Sequence, residues 1–411
     1  MILPYASDNL PARRPYATLI LLAVTLALSC YAITTNRSED GSSQILSAFG
    51  IVPDHFNPLT LLSYPLFHAG VGHFLVNAFY LWLFGAGIEV AVGSKRFLLL
   101  YFAGGAVGGL LQWLVTILLL PADAQSIPIV GASAACATLI GLYAVRYYRA
   151  TLRFVGLPFR IHVVLVVTLF LIYEIGTGVW NLLSGEAFDG VAHWAHSGGF
   201  IFGLGCAHLM RLSEAGARAY LTQDASQAML KNVPGAAIKK WEELLTREPK
   251  NAQARCELGR AWLMLGDREQ AKNEYMRSLV DFVDQLRLTE AATLYVEMRE
   301  LELTADDMTA SQFFALGSGL IDVEQYALAT ETLRCVFLQH ASADEAEMAL
   351  LEAISLYVHQ LDRHEEARIC LRLFFERHSN SPLRPLALDL RRIIEVTAAG
   401  KAFTAPATEN F

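Results

Sequence analysis

Four residues of this chain have types and spacings that could do chemistry together: Ser133, His196, His73 and Asn77. A serine hydroxyl becomes a nucleophile when a histidine takes its proton. Its attack on a carbonyl creates an oxyanion that needs hydrogen-bond donors. Ser133 lies in Gly131-Ala132-Ser133-Ala134, and His196 in Ala192-His193-Trp194-Ala195-His196-Ser197-Gly198-Gly199. His73 and Asn77 are four apart and share one helical face. They and the Ser133 N–H, near a helix N-terminus that favours negative charge, could serve the oxyanion. Plainer roles exist for each residue. Ser133 could cap a helix, and His196 could be a packed interhelical donor. His68 reads as support for a loop and His193 as a residue of the outer rim.

These residues must be positioned by helices in a membrane. Only 18% of the 411 residues are charged and 54% are hydrophobic, with a mean hydropathy of +0.36. Positions 15–36, 55–88, 97–122, 124–145 and 190–210 carry no Asp, Glu, Lys or Arg, and 161–185 carry only Glu174. A spanning helix needs about 20 mostly apolar residues. Six are expected, near 15–34, 71–91, 96–120, 133–149, 160–183 and 193–212. The fourth is rich in small residues, which suits a helix buried among others. The second, fourth and sixth all start at the outer face, so Ser133, His196, His73 and Asn77 can converge at one shallow depth. Small residues at Ala137, Gly141, Gly199 and Gly203 let the fourth and sixth pack closely, and Gly104-Gly105-x-x-Gly108-Gly109 reads as packing on the third. Glu174, in mid-span, must be neutral, paired or near water. It reads as a structural partner, too deep to serve Ser133 and His196.

Charge sets the orientation. Arg13, Arg14, Lys95, Arg96, Arg146, Arg149, Arg153, Arg160, Arg211 and Arg218 fall on one side of the spans and only Arg37 on the other. The positive-inside rule then puts both termini in the cytoplasm. The opposite loops hold Glu39, Asp40, Asp54, Asp123, Glu186 and Asp189. The six cysteines are sparse and show no C-x-x-C, so free thiols are expected rather than a disulfide framework or a thiolate zinc site. A net charge of −8 argues against a nucleic-acid binder.

Residues 1–220 contain 11 Lys+Arg and 10 Asp+Glu, whereas 221–411 contain 21 and 30, so the second half is ordinarily polar. There Ala237 and Trp241 return 34 positions later as Ala271 and Tyr275, with Leu258-Gly259 and Trp262 before the second set. A 34-residue period of this kind is the tetratricopeptide signature. Leu316-Gly317 with Ala329, and Ala353 with Ala367 and Phe374, form looser units at a period nearer 38. A helical solenoid offers a concave surface to a peptide or protein partner.

His68-x4-His73-x3-Asn77, then Gly131-Ala132-Ser133, then Ala195-His196-x2-Gly199-x3-Gly203, in order on six spans, resembles the rhomboid family of intramembrane serine proteases. The resemblance covers roughly 10–212. It implies Ser133 as nucleophile and His196 as general base, a dyad with no acidic third member. It further implies His73 and Asn77 as oxyanion stabilisers and Gly85 with Glu89 as a structural element at the inner end of the second span. His68, Gly131 and Gly199 support the site. Three positions depart from the family pattern. Leu59-Thr60 stand where many members carry Trp-Arg. Ala134 follows the nucleophile where Gly is frequent. Ala137 stands where an aromatic often packs on the histidine.

The expected fold is all-α: a rhomboid-like six-helix transmembrane domain over 1–215, a linker over 216–230, a tetratricopeptide-like solenoid over 231–395 and a tail over 396–411. The expected function is endoproteolysis of transmembrane protein substrates near the extracytoplasmic membrane boundary, without cofactor or metal, in a bacterial inner membrane. The solenoid would bind a cytosolic protein or peptide. A rhomboid-like scaffold that binds clients without cutting them is the alternative. A metal or haem protein using His68, His73, His193 and His196 is a weaker one. It lacks H-E-x-x-H, and the His68–His73 spacing puts the two rings on different faces.

Overall fold

The computed structural model describes residues 4–7, 14–35, 44–154, 158–184, 190–305, 308–378 and 380–404. Arg13, Arg37, Glu39, Asp40, Glu186 and Asp189, used above for orientation, lie outside the described residues, as does the tail after 404. The chain divides into two compact units, Met1–Ala219 and Tyr220–Phe411.

The fold is all-α. The expected spans form helices α1 Tyr16–Thr35, α2 Val71–Val92, α3 Ser94–Leu119, α4 Ser133–Arg146, α5 Val163–Ser184 and α6 His193–Leu209. Of these, α1, α2, α3 and α5 are long and apolar enough to cross a membrane. The other two are shorter, 14 residues in α4 and 17 in α6. At 1.5 Å per residue they measure only ~21 and ~26 Å, against a hydrocarbon core of about 30 Å. Neither is long enough to cross such a core end to end. Such an arrangement is tolerated where the connecting backbone is buried in protein or lines a cavity.

Helix α4 is the centre of the first unit, with every residue from Ala134 to Tyr143 buried. Small side chains make this possible. A Cβ on Gly141 would lie 2.7 Å from the Phe200 carbonyl oxygen, and one on Gly108 would lie 2.8 Å from Ala134 Cβ. Gly199 and Gly203 of α6 press on the α4 backbone at Ala134 and Thr138. The Thr138 hydroxyl donates to the Gly199 carbonyl at 2.9 Å, so a polar bond locks the close approach. Helix α2 changes pitch at Leu81–Gly85, which winds as a π-turn, and ends on Gly93 at φ 85°, a left-handed exit open to glycine.

A three-stranded antiparallel sheet was not expected. Its strands β1 Pro4–Ser7, β2 Thr151–Phe154 and β3 Arg160–His162 lie in the order β1-β2-β3. The fourth helix consequently stops at Arg146 rather than 149, and the fifth starts at Val163 rather than 160. Leu152 and Phe154 of β2 are buried in the core with Val163, and the ladder satisfies the backbone groups that a frayed helix end would leave open.

Helix α7, Leu212–Leu230, runs through the division, so residues 216–230 are helical. The second unit continues with α8 Pro234–Arg247, α9 Ala252–Leu265, α10 Arg268–Asp284, α11 Leu288–Glu300, α12 Ala310–Asp322, α13 Tyr326–Gln339, α14 Ala346–His359, α15 His364–Arg377 and α16 Arg384–Thr404. Each helix from α8 packs on the next. The repeat residues do the packing. A Cβ on Gly259 would meet the Tyr275 ring at 3.0 Å, and one on Gly317 would meet Leu333 at 2.6 Å, so both glycines let a partner helix close in. Helix α11 stands between these two equivalent pairs, α9–α10 and α12–α13. That extra helix is why the second glycine is not placed a whole number of 34-residue periods after the first.

Candidate active site

A cavity of ≈ 720 Å³ opens between α2, α4, α5 and α6. Its walls include His73, Asn77 and Tyr80 from α2, Ser133 from α4, Phe170 and Glu174 from α5, and His196 from α6. The four residues read as chemical from their spacing therefore face one space. Ser133 and His196 are not hydrogen-bonded to each other among the described residues. In unliganded sites catalytic hydrogen bonds are often long and tighten when substrate binds.

Ser133 is the first helical residue of α4, not its cap: the cap position is Ala132, with no side-chain hydrogen bond. The hydroxyl is therefore not spent on capping. Gly131 places it there. It takes φ +123°, its N–H donates to Tyr64 O at 3.0 Å, and a Cβ would come within 2.6 Å of the His73 ring. His68 holds the same turn from behind. Its Nδ1 pairs with Ser29 Oγ at 2.9 Å, and its Nε2 accepts from the Ala132 N–H at 3.4 Å. That pattern makes His68 a strut between α1 and the Ser133 turn. Its ring lies edge-on to His73 with centroids 5.1 Å apart.

On α2 the Asn77 side chain donates to the His73 carbonyl at 3.0 Å, which fixes the amide and leaves its second N–H for another acceptor. Gly199 is a contact residue beneath α4. Glu89 lies at the other end of α2 and binds the first turn of α1: its carboxylate accepts from Ala17 N at 2.8 Å, Thr18 N at 2.7 Å and the Thr18 hydroxyl at 2.8 Å.

Three expectations are corrected at α5 and α6. Glu174 is not too deep for the site. Its Oε2 accepts from His196 Nδ1 at 2.9 Å and from His193 Nδ1 at 2.7 Å. His193 is not on the rim but 2% exposed. The histidine at the cavity consequently has an acidic partner, unlike the two-residue arrangement implied by the resemblance. The cause is helix length. Helix α6 is five residues shorter than α5 and begins recessed, so its first turn lies level with the middle of α5 rather than with its end. With Glu174 ionised its carboxylate only accepts, so in that state both rings donate from Nδ1 and His196 Nε2 is the nitrogen left to act as a base.

The α4 position that often carries an aromatic in the family resembled is Ala137, buried, and a phenyl ring beside His196 comes from α5 instead: Phe170, with centroids 6.5 Å apart and planes at 30°, while the His193 ring lies at 6.4 Å. One supporting residue was missed altogether. Gln112 of α3 is 1% exposed, and its Oε1 accepts from the N–H groups of Trp194 and Ala195 at 3.1 and 3.2 Å, closing the start of α6. A lone amide in an apolar span was its signal.

Helices of membrane-spanning length around a cavity lined by polar side chains define a polytopic membrane protein with a recessed polar site. Residues 55–213 match the family model of the rhomboid domain. Over those residues the chain is similar to the rhomboid domain. Rhomboid protease GluP of Bacillus subtilis (strain 168) is 30% identical over 160 residues, which cover 38% of this chain and 27% of that protein. A crystal structure of MamA protein aligns with 48% of this chain and 100% of its own at 15% identity, with a TM-score of 0.18.

Proposed function

We propose that this chain is an intramembrane serine endopeptidase with Ser133 as nucleophile and His196 as general base. The observation that carries the reading is the shared cavity, in which an uncapped Ser133, His196 with its Nε2 left basic, and the donors of His73 and Asn77 face one another across a space open to a peptide. In the proposed reaction, His196 Nε2 takes the Ser133 proton as Oγ attacks the scissile carbonyl. His73, the second N–H of Asn77 and the unpaired amides at the start of α4 hold the oxyanion. The imidazolium then protonates the leaving amine, and water releases the acyl group from Ser133.

The similarity to the rhomboid domain supports transmembrane proteins as the substrate class. Cleavage near the extracytoplasmic boundary follows if the start of α4 faces outward, as the Lys/Arg asymmetry indicates. A segment with weak helix propensity would be favoured, because a protease binds extended backbone and lipid enforces helix. The same asymmetry puts both termini in the cytoplasm, of a bacterial inner membrane in this reading. The helical repeats would then offer a cytosolic surface to a protein or peptide.

A serine-directed fluorophosphonate probe, together with a transmembrane reporter substrate, tests the proposal. Labelling and cleavage should both vanish in Ser133→Ala and His196→Ala while the protein still inserts. Undiminished labelling in Ser133→Ala would overturn the assignment. Client binding without cleavage by the wild type would favour the scaffold reading.

A further inference from the structure

Glu174 is buried in a helix that otherwise carries no charged residue, at 5% exposure. Its Oε2 receives two N–H donors, from His193 and His196. We infer that Glu174 is the orienting acid of His196, so that the site works as Ser133–His196–Glu174, with His193 fixing the carboxylate. The inference rests on the reading of Ser133 and His196 given above.

A carboxylate at that atom serves the chemistry directly. His196 must present an unprotonated Nε2 to the Ser133 hydroxyl, which means that its one proton must stay on Nδ1. A carboxylate 2.9 Å from Nδ1 enforces that tautomer. When Oγ attacks the carbonyl carbon, its proton moves to Nε2 and the ring becomes a cation. The Nδ1 proton does not move, and the carboxylate keeps its charge and stabilises the cation beside it. His196 then loses the Nε2 proton to the departing amine nitrogen as the C–N bond breaks. Glu174 is a positioning residue throughout.

Two features set this apart from a buried ion pair serving stability alone. Glu174 reaches the cavity wall. Helix α5 also supplies a ring beside His196, through Phe170, and Ala137 of α4 has no ring to offer. In this chain the hold on the imidazole thus comes from α5. Donor atoms of Glu174, His193 and His196 lie within 4.8 Å of one another, a set that two histidines and a carboxylate use to bind zinc. At 2.7 and 2.9 Å from an ionised Glu174, however, each Nδ1 serves as a hydrogen-bond donor, whereas a metal would need its lone pair.

Saturation kinetics of fluorophosphonate labelling on the full-length protein decide the matter. Glu174→Leu should lower the maximal labelling rate roughly 10²-fold or more, with the half-saturating probe concentration unchanged within about twofold, and Glu174→Asp should recover part of the loss. Wild-type labelling should be unaffected by EDTA. Equal maximal rates in wild type and folded Glu174→Leu would overturn the inference while leaving Ser133 and His196 standing. So would loss of labelling in EDTA with recovery on adding zinc. Wild-type protein that labels at no serine would instead sink the underlying protease reading. If the Glu174 variants fail to fold, 15N spectra of histidine-labelled wild type, assigned with His196→Ala, carry the test. A proton on Nδ1 of His196 supports the inference, and one on Nε2 overturns it.

Discussion

Glu89 accepts from the amide of Thr18 at 2.7 Å and from its hydroxyl at 2.8 Å, so one buried carboxylate at the end of α2 closes the start of α1. The helix dipole and the unpaired first-turn amides both favour an anion there. Glu89→Ala should cost about 1.5–3 kcal/mol, the worth of hydrogen bonds to a charged group. Thermal unfolding in detergent should show the lowered midpoint, and Glu89→Gln should fall between.

Gly131 combines φ +123° with contact against the His73 ring. Gly131→Ala should add strain of about 1–2 kcal/mol from the backbone alone and push His73 away from the cavity. Probe labelling at Ser133 should drop at least tenfold, with membrane insertion retained. A variant that labels at the wild-type rate would show that the turn can relax without moving the site.

His68 joins Ser29 of α1 to the Ala132 amide. His68→Leu leaves both groups buried without that partner, at about 1–3 kcal/mol each. Loss of stability should therefore accompany slower labelling, and Ser29→Ala should reproduce only a fraction of it. Hydrogen exchange at the Ala132 amide reads the loosening directly.

In the repeat unit, Glu297 of α11 accepts from Arg260 of α9 at 3.0 and 2.5 Å and from the Tyr275 hydroxyl of α10 at 2.8 Å, tying the extra helix to the pair before it. Arg260 holds the Glu297 carboxyl below the ordinary carboxylate range, partly opposed by burial and helped by Tyr275. A carboxyl depressed on folding contributes stability that is fully present above its unfolded value of about 4.3 and fades as pH falls through the folded value. Protection of α11 amides should accordingly decline below that pH. Glu297→Gln should be less protected at neutral pH and should flatten the decline.

A reporter fused after Phe411 should read cytoplasmic in a bacterial host, as Lys/Arg crowding on one side of the spans requires. Activity of an extracytoplasmic reporter would reverse the topology and with it the face toward which the cavity opens.

Much of the site was legible in the sequence, and the reason is local. His73 and Asn77 share a face by spacing alone, and the glycines of α3, α4 and α6 announce close helix crossings before any partner is known. The 34-residue recurrence around Gly259 and Tyr275 was visible too, because a packed helix pair repeats its small-against-large contact. The sheet at β1–β3 was not visible. Its strands are three or four residues long, β1 lies far away in the chain, and charge counting cannot tell a short strand from a frayed helix end.

By itself, the sequence determined that α1, α2, α3 and α5 are long and apolar enough to cross a membrane and that Ser133, His196, His73 and Asn77 could act together. Exclusion of charge from lipid and the period of a helix are properties of single segments. Only the tertiary structure decided the heights of those segments relative to one another. Close packing on small residues and the short length of α6 recess its first turn to the level of the middle of α5. That recess opens the cavity at Ser133 and brings Glu174, which sequence position alone left too deep, to Nδ1 of His196.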